Sequence, residues 1–384
     1  MFKLLNILII SSVFFILISS TAEAVKKKKK WYNSITAIGG ITATLQGTSG
    51  NGDSTAETED NKDFSYSLDV RLSSEIASGH NFIIDIETGE GNGVNDNFGA
   101  NGTFINPNYD PFNTINPDTG HQDLTISQVY YEGTFLDEML TVDLGKMDIH
   151  SFTDQNNFAG DETSEFMAGI FVRLTGTLFT ELDNYYAPGI RLLFTPNEWF
   201  DFTYVAANSS YDSVSKNFYD VGQINIKPNI KDLEGNYRFY YIRDRRNYIQ
   251  IDDITSDGDP NSGWGLSFDQ YITERVGLFY RAGSQKDSLT ANTATSAWAA
   301  GAIWSGKFWE RPDDYVGIGH GLVKKNEKIA SEFSDEQRVT EIFYHYQFWD
   351  NLSITPDIQL HKNLPRTEAR NITVYGVRLQ LDFF

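Results

Sequence analysis

The chain has 384 residues, with 31 Lys and Arg against 52 Asp and Glu for a formal net charge of −21, and no cysteine. So acidic a balance argues against a nucleic-acid partner, whose phosphates are neutralised by Lys and Arg. Without cysteine there is no disulfide framework and no thiol for an acyl anchor.

Residues 1–24 read as a secretory signal: Lys3 gives a basic start, "LLNILIISSVFFILISS" is apolar, and "AEA" (Ala22 to Ala24) is a small-x-small cleavage site. The mature chain is expected to begin at Val25, with 25–33 a periplasmic stub. Its Lys26 to Lys30 run would be solvated or touch acidic headgroups. Beyond the signal no stretch approaches the roughly 20 apolar residues that a membrane helix needs. A soluble globule or a membrane barrel remains, and periodicity decides between them.

Alternation of period two recurs from 34 to 384. In "SITAIGGITATLQG" (34–47) Ile35, Ala37, Ile41, Ala43 and Leu45 share one face, while Thr36, Thr42, Thr44 and Gln46 share the other. "SLDVRLSSEI" (67–76) and "EIFYHYQFW" (341–349) repeat the pattern. Each run is about ten residues, enough for a tilted strand to cross a bilayer. Sixteen strands are expected, near 34–47, 64–76, 80–88, 123–134, 138–147, 186–195, 199–207, 218–228, 233–243, 263–272, 276–284, 296–306, 313–323, 339–348, 351–361 and 371–384. The connections between them alternate long and short, from 48–63 (long) and "ASGH" (short) through to "DN" (short) and 362–370 (long). Outer-membrane barrels show this asymmetry, with tight periplasmic turns and longer outer loops. Aromatic pairs such as Trp31 and Tyr32, Tyr185 and Tyr186, Trp199 and Phe200, Phe308 and Trp309, and Phe348 and Trp349 fall near strand ends, as in an interfacial girdle.

The last run, "YGVRLQLDFF", sets Tyr375, Val377, Leu379, Leu381 and Phe383 on one face, with Phe384 one residue past that frame. In lipid every backbone polar group must be paired, so the sheet must close and this strand is expected to seal against the first. The same residues resemble the C-terminal signal read by the outer-membrane assembly machinery.

Parity assigns the opposite faces to the interior. They carry Arg71, Arg191, Arg238, Arg281, Lys227 and Arg378 together with a larger number of acids, among them Asp69, Asp85, Glu87, Asp143, Asp269, Glu341 and Asp357. A sixteen-stranded barrel is too wide for side chains to fill, so these groups are expected to line water. The third long connection, 146–186, is too apolar around "FMAGIFV" for a solvated loop. It is expected to fold into the barrel, with Ser164 or Thr163 capping a short helix and Asp154, Asn156, Asp161, Glu162 and Arg173 at its rim. The alternative is an outer cap that never enters the lumen. Arg191, Arg238 and Arg281 facing Asp161 and Glu162 are the expected constriction.

Enzyme and metal motifs are missing from the chain. Six histidines are scattered without ligand spacing, and there is no G-x-S-x-G elbow or phosphate loop. No metal, cofactor or catalytic residue is expected. "GIGHG" (317–321) lies inside an expected strand, where glycines admit a bulge or neighbouring side chains.

At "LGKMDIHSFTDQNNFAGDETSEFMAGIF" (144–171) the chain resembles the OprB-type carbohydrate-selective porins of Gram-negative bacteria. "WGLSFDQYI", "ERVGLFYRAG", "RPDDYVGIGHG", "TPDIQ" and the closing strand extend the resemblance over most of the C-terminal two thirds. Here "NLP" (Asn363 to Pro365) stands where the family usually has Asn-Pro, a one-residue departure. The resemblance implies passive diffusion of mono- or small oligosaccharides through a water-filled channel in the bacterial outer membrane. The partners it implies are sugars, outer-membrane lipids and the assembly machinery, and the oligomeric state stays open, a homotrimer among the options. The excess of interior acids keeps a cation-preferring general porin as the rival, with an outer-membrane barrel enzyme behind it.

Overall fold

The computed structural model describes residues 35–50, 62–95, 103–109, 124–179, 186–208, 217–253, 258–329, 336–364 and 371–383. Sixteen long strands form the staves of one sheet: β1 (Ile35–Gly50), β2 (Lys62–Ala77), β3 (His80–Glu90), β4 (Thr125–Phe135), β5 (Leu140–Asp148), β6 (Tyr186–Asn197), β7 (Phe200–Asn208), β8 (Phe218–Ile226), β10 (Leu233–Tyr248), β11 (Asp259–Thr273), β12 (Val276–Gln285), β13 (Ala294–Ser305), β14 (Tyr315–Lys325), β15 (Glu336–Trp349), β16 (Leu352–Lys362) and β17 (Ile372–Phe383). A two-residue strand, β9 (Asn229–Ile230), pairs with the start of β10 inside the turn that follows β8. The sheet closes: β17 pairs antiparallel with β1, from Gly39 opposite Phe383 to Gly50 opposite Ile372. Closure leaves no open edge, the condition a sheet must meet in hydrocarbon.

The alternation in sequence becomes two chemically distinct faces. On β12, Leu278 and Tyr280 are exposed, while Phe279 and Arg281, which alternate with them, are buried. On β17, Tyr375, Val377 and Leu379 point outward and Arg378 is buried. The connections keep the expected asymmetry. Residues 78–79, 136–139, 198–199, 274–275 and 350–351 make tight turns at one rim, while the connections that follow β3 and β5 start from the other. Gly79, with φ +74°, occupies a two-residue turn that other residues would adopt only under strain.

The strands depart most from expectation at the loop rim. β10 continues to Tyr248 and β11 starts at Asp259, because beyond the apolar band both faces meet water and apolar alternation no longer marks a strand. Polar side chains take over there: Asp220 accepts from Tyr204 Oη (2.7 Å) and Arg245 Nε (2.5 Å), and Asp244 accepts from Tyr248 Oη at 2.7 Å. Trp199, Phe308, Phe348 and Trp349 are exposed beside the short turns, as a girdle requires. Tyr186 is a correction: it is buried, and its hydroxyl donates to Glu87 Oε2 at 3.0 Å. Trp31, Tyr32, Tyr185, Phe384, the expected signal and the stub lie outside the described residues.

A second correction concerns the interior. Along the arc from β7 to β15 many inner-face residues are apolar or small, among them Val205, Val221, Ile242, Phe279, Ala299 and Val339, set between buried polar groups such as Arg281 and Glu341. The apolar residues do not line water. They form one core with Phe158, Phe166, Ile170, Phe171, Leu174 and Leu178 of the segment that follows β5. Each such side chain stabilises by about 1.5–3 kcal/mol when fully buried. Within that segment lie two single-turn helices, α1 (Gly169–Val172) and α2 (Thr175–Leu178).

Candidate functional site

The glycines of "GIGHG" make the seat for this core. A Cβ on Gly319 would come within 2.6 Å of Phe171 Cε1 and 2.9 Å of Phe166 Cε1, and one on Gly321 within 2.9 Å of Ile170 Cδ1. The wall surrenders its side chains so that rings from 149–179 can lie on it. Phe166 then meets Phe343 and Phe279 edge to face, at ring-centroid distances of 4.8 and 5.3 Å. Gly319→Leu is expected to overpack this contact and destabilise the protein by about 1–3 kcal/mol. The shift from folded to unfolded band on heating in detergent measures it.

Polar fastenings fix the same segment. Arg281 pairs with Asp154 at 3.2 Å and donates to the Ala159 carbonyl at 2.6 Å, while Asp154 Oδ2 accepts from the Leu174 and Thr175 amides at 2.7 and 3.1 Å. Asn156 Nδ2 donates to Ser267 Oγ and the Phe268 carbonyl, both at 3.1 Å. Glu341 on β15 accepts from the Met167 and Ala168 amides at 2.6 and 2.9 Å. Arg378 on β17 donates to the carbonyls of Glu162 and Glu165, each at 2.7 Å. Asp161 accepts from the hydroxyls of Thr163 (2.6 Å) and Ser164 (2.5 Å), closing a turn. Neither of those residues caps a helix, since α1 and α2 follow Ala168 and Leu174 with no side-chain cap.

The arginines expected at the constriction are placed differently. Arg238 and Arg281 are 5% and 0% exposed, and their charges are spent on Asp269 (2.5 Å) and Asp154. Arg191 pairs with Asp143 at 2.9 Å and lies over the Phe152 ring, 4.5 Å from its centroid. None of the three has a recorded ion pair with Asp161 or Glu162. Parity tells which way a guanidinium points, and it does not reveal which carboxylate or carbonyl it meets there.

The open space lies on the other arc. A cavity of about 640 Å³ is bounded by Asp69, Arg71, Asp85 and Glu87 of the wall and by Asp148, Glu162 and Arg173. Arg71 binds Asp85 through two bonds of 2.7 Å, and Gln128 Nε2 donates to the same carboxylate at 2.6 Å. Ser127 Oγ donates to Glu87 at 2.7 Å. Arg173 stands 3.8 Å from Asp148. His150 also borders the cavity, but burial lowers its pKa to about 4, so it adds no cation near neutral pH. Burial pushes the Glu162 carboxyl up to about 7, against the pull of Arg173. Of the expected site residues, Glu162 and Arg173 meet here, while Asp154, Asn156 and Arg281 fasten the segment behind them. Asn106, Asn108 and Tyr109 from the connection after β3 complete the lining and went unnoticed in the sequence. Phe104 and Ile105, apolar within a polar connection, were the available signal. Among the described residues no three His, Cys, Asp or Glu side chains are grouped to hold a metal ion.

A closed antiparallel barrel of sixteen staves, apolar outside and charged around an inner cavity, has the architecture of an outer-membrane porin. The model of the carbohydrate-selective porin, OprB family, matches residues 53–383, and the chain belongs to that family. Family and fold place it in the bacterial outer membrane. The chain is similar to porin AaxA of Chlamydia abortus, 24% identical over 266 residues, and to porin AaxA of Chlamydia felis, 25% identical over 267. These matches cover 66% of this chain but only 56% and 57% of the relatives' own length. Among solved structures, the high-pH structure of Pseudomonas putida OprB matches with a TM-score of 0.77 at 15% identity, over 92% of this chain and 95% of that one. The outer-membrane channel DcaP of Acinetobacter baumannii matches with a TM-score of 0.58 at 10% identity, over 91% and 97%. These two structures show the fold.

Proposed function

We propose that the protein is a channel for passive diffusion of mono- and small oligosaccharides, with residues 149–179 acting as an inner loop that narrows the lumen to one side. The observation that carries this reading is the 640 Å³ cavity, bounded by guanidinium, carboxylate and amide groups of both wall and loop. Guanidiniums and carboxylates hydrogen-bond sugar hydroxyls, and a water-filled passage of modest affinity releases what it binds. Glu162 and Arg173 of the loop, with Arg71 and Asp85 of the wall, are the proposed solute contacts. Asp154, Asn156, Arg238 and Arg281 are proposed as the residues that hold the constriction in place. Residues 1–24 are proposed as the export signal, and the outward face of Tyr375, Val377 and Leu379 as the feature read by the assembly machinery. Liposome swelling with mono- and oligosaccharides tests the reading: swelling that falls steeply with sugar size supports it, and liposomes as tight as protein-free controls would overturn it.

A cation preference superimposed on sugar passage is favoured by the lining itself. Arg71 and Arg173 stand against Asp69, Asp85, Glu87, Asp148, Glu162 and Asp382, two positive groups to six acidic ones. Glu162 is protonated below its raised pKa and charged above it, so its contribution to cation selectivity is absent at low pH and gained as pH rises through about 7. The reversal potential under a salt gradient is expected to move toward the cation limit between pH 6 and 8, and the Glu162→Gln variant is expected to lose that part of the shift.

A further inference from the structure

Residues 103–109 belong to the long connection between β3 and β4, and the structure seats them on the seam of the barrel. The carbonyl of Pro107 accepts two side-chain amides: Gln46 Nε2 of β1 at 3.1 Å and Gln359 Nε2 of β16 at 2.8 Å. These strands flank β17 on either side, so one carbonyl is held across the strand that closes the sheet. Both glutamines are buried, and both amides are oriented by second contacts. Gln46 Oε1 accepts from the Val94 amide at 3.3 Å, and Gln359 is bonded to Asp357 Oδ1 (3.0 Å) and His361 Nε2 (2.9 Å). The two limbs of the connection are joined to each other. Asn95 Nδ2 donates to the Asn108 carbonyl at 2.6 Å and Asn95 Oδ1 accepts from the Asn108 amide at 2.9 Å, the exchange a paired strand would make. On its other flank the segment pairs with the inner loop, Tyr109 N to Met167 O at 2.8 Å and Gly169 N to Asn106 O at 2.9 Å.

We propose that residues 103–109 are a second jaw of the constriction, that Asn106, Asn108 and Tyr109 contact the permeating sugar, and that Gln46 and Gln359 are the positioning residues that place them. The inference rests on the channel reading above. It assigns the jaw a neutral, hydroxyl-matching chemistry: amides that both donate and accept, and a phenol ring whose face suits the apolar face of a pyranose. This jaw borders the same cavity as the ionic groups of Arg71, Asp85 and Glu162. Because one carbonyl takes both donors, either glutamine alone keeps Pro107 anchored across the seam, and loss of both removes that anchor and loosens the segment, which is then held by its bonds to Asn95, Ser65, Gln337 and the inner loop.

The test is sugar block of ion current in planar bilayers, using the full chain with glucose and maltotriose as probes. Gln46→Ala and Gln359→Ala singly are expected to change the blocking constant by less than about twofold, whereas the double variant weakens block by about tenfold and raises conductance, the scale for losing two neutral hydrogen bonds that act on one group. Tyr109→Ala leaves both anchors intact and is expected to weaken block at near-normal conductance noise, so it decides the matter if the double variant fails to assemble. A glutamine needed only for barrel stability would shift the heat-modified band without this non-additive change in block. Unaltered block in both the double variant and Tyr109→Ala, in a channel that sugar blocks in the wild type, overturns the second jaw and leaves the channel reading standing. A wild type that neither conducts nor passes sugar removes both.

Discussion

Replacing Arg281 with alanine is expected to unfasten the inner loop and open the channel. The guanidinium is fully buried and is held between Asp154 and the Ala159 carbonyl, so its removal strands a carboxylate in the core. Breaking a buried pair from one side costs about 3–5 kcal/mol, comparable with what a few buried aromatic residues contribute to the same loop. The expected phenotype is a larger, noisier single-channel conductance with poorer discrimination among sugars, in a barrel that still shows heat modifiability. Asp154→Asn should be milder, because an amide oxygen can still accept from the Leu174 and Thr175 amides. If Arg281→Ala matched the wild type in conductance, size limit and melting, the fastening would not hold the loop.

Arg71→Ala is expected to act on selectivity and to leave the fold intact. Its side chain is 45% exposed, and the buried Asp85 keeps the bond from Gln128 Nε2 at 2.6 Å when the guanidinium is gone. Its charge, however, is one of two positive groups around the cavity. Without it one remains against six acids, and Asp85 loses the partner that neutralises it at 2.7 Å. Cation over anion permeability should rise several-fold, measured by reversal potential, and the change should shrink in high salt as screening shortens the reach of the charges around the cavity. An unchanged potential would place the narrowest part of the path elsewhere.

The staves could be read from the chain because a barrel wall writes itself in period two: Leu278 and Tyr280 alternate with Phe279 and Arg281 whether or not anything lies inside. The seam and the tight turns were legible for the same reason, and the family from the motif at 144–171 and those of the later strands. The site was legible only in part. Period two says which side chains point inward, but what they meet there depends on two long connections whose placement has no periodic signature. Arg281 and Arg71 look alike in sequence, each inward on a stave, yet one lies under Ala159 and the other beside open solvent. Gly319 and Gly321 were legible as a place where the wall admits neighbouring side chains, but nothing in the pattern named Phe166, Phe171 and Ile170 as those neighbours. Tyr186 misled because an aromatic at the start of a strand serves a girdle or a hydrogen bond to Glu87 equally well.

The shared core of loop and wall has a consequence for handling the protein. A hollow cylinder keeps its shape through its closed ladder of hydrogen bonds alone once lipid is stripped away. This one carries packed rings such as Phe166, Phe171, Phe279 and Phe343 on its inner side, as a water-soluble domain does. Its tertiary structure should therefore outlast delipidation, and harsh detergents should attack it through the outer band first and the filled half last.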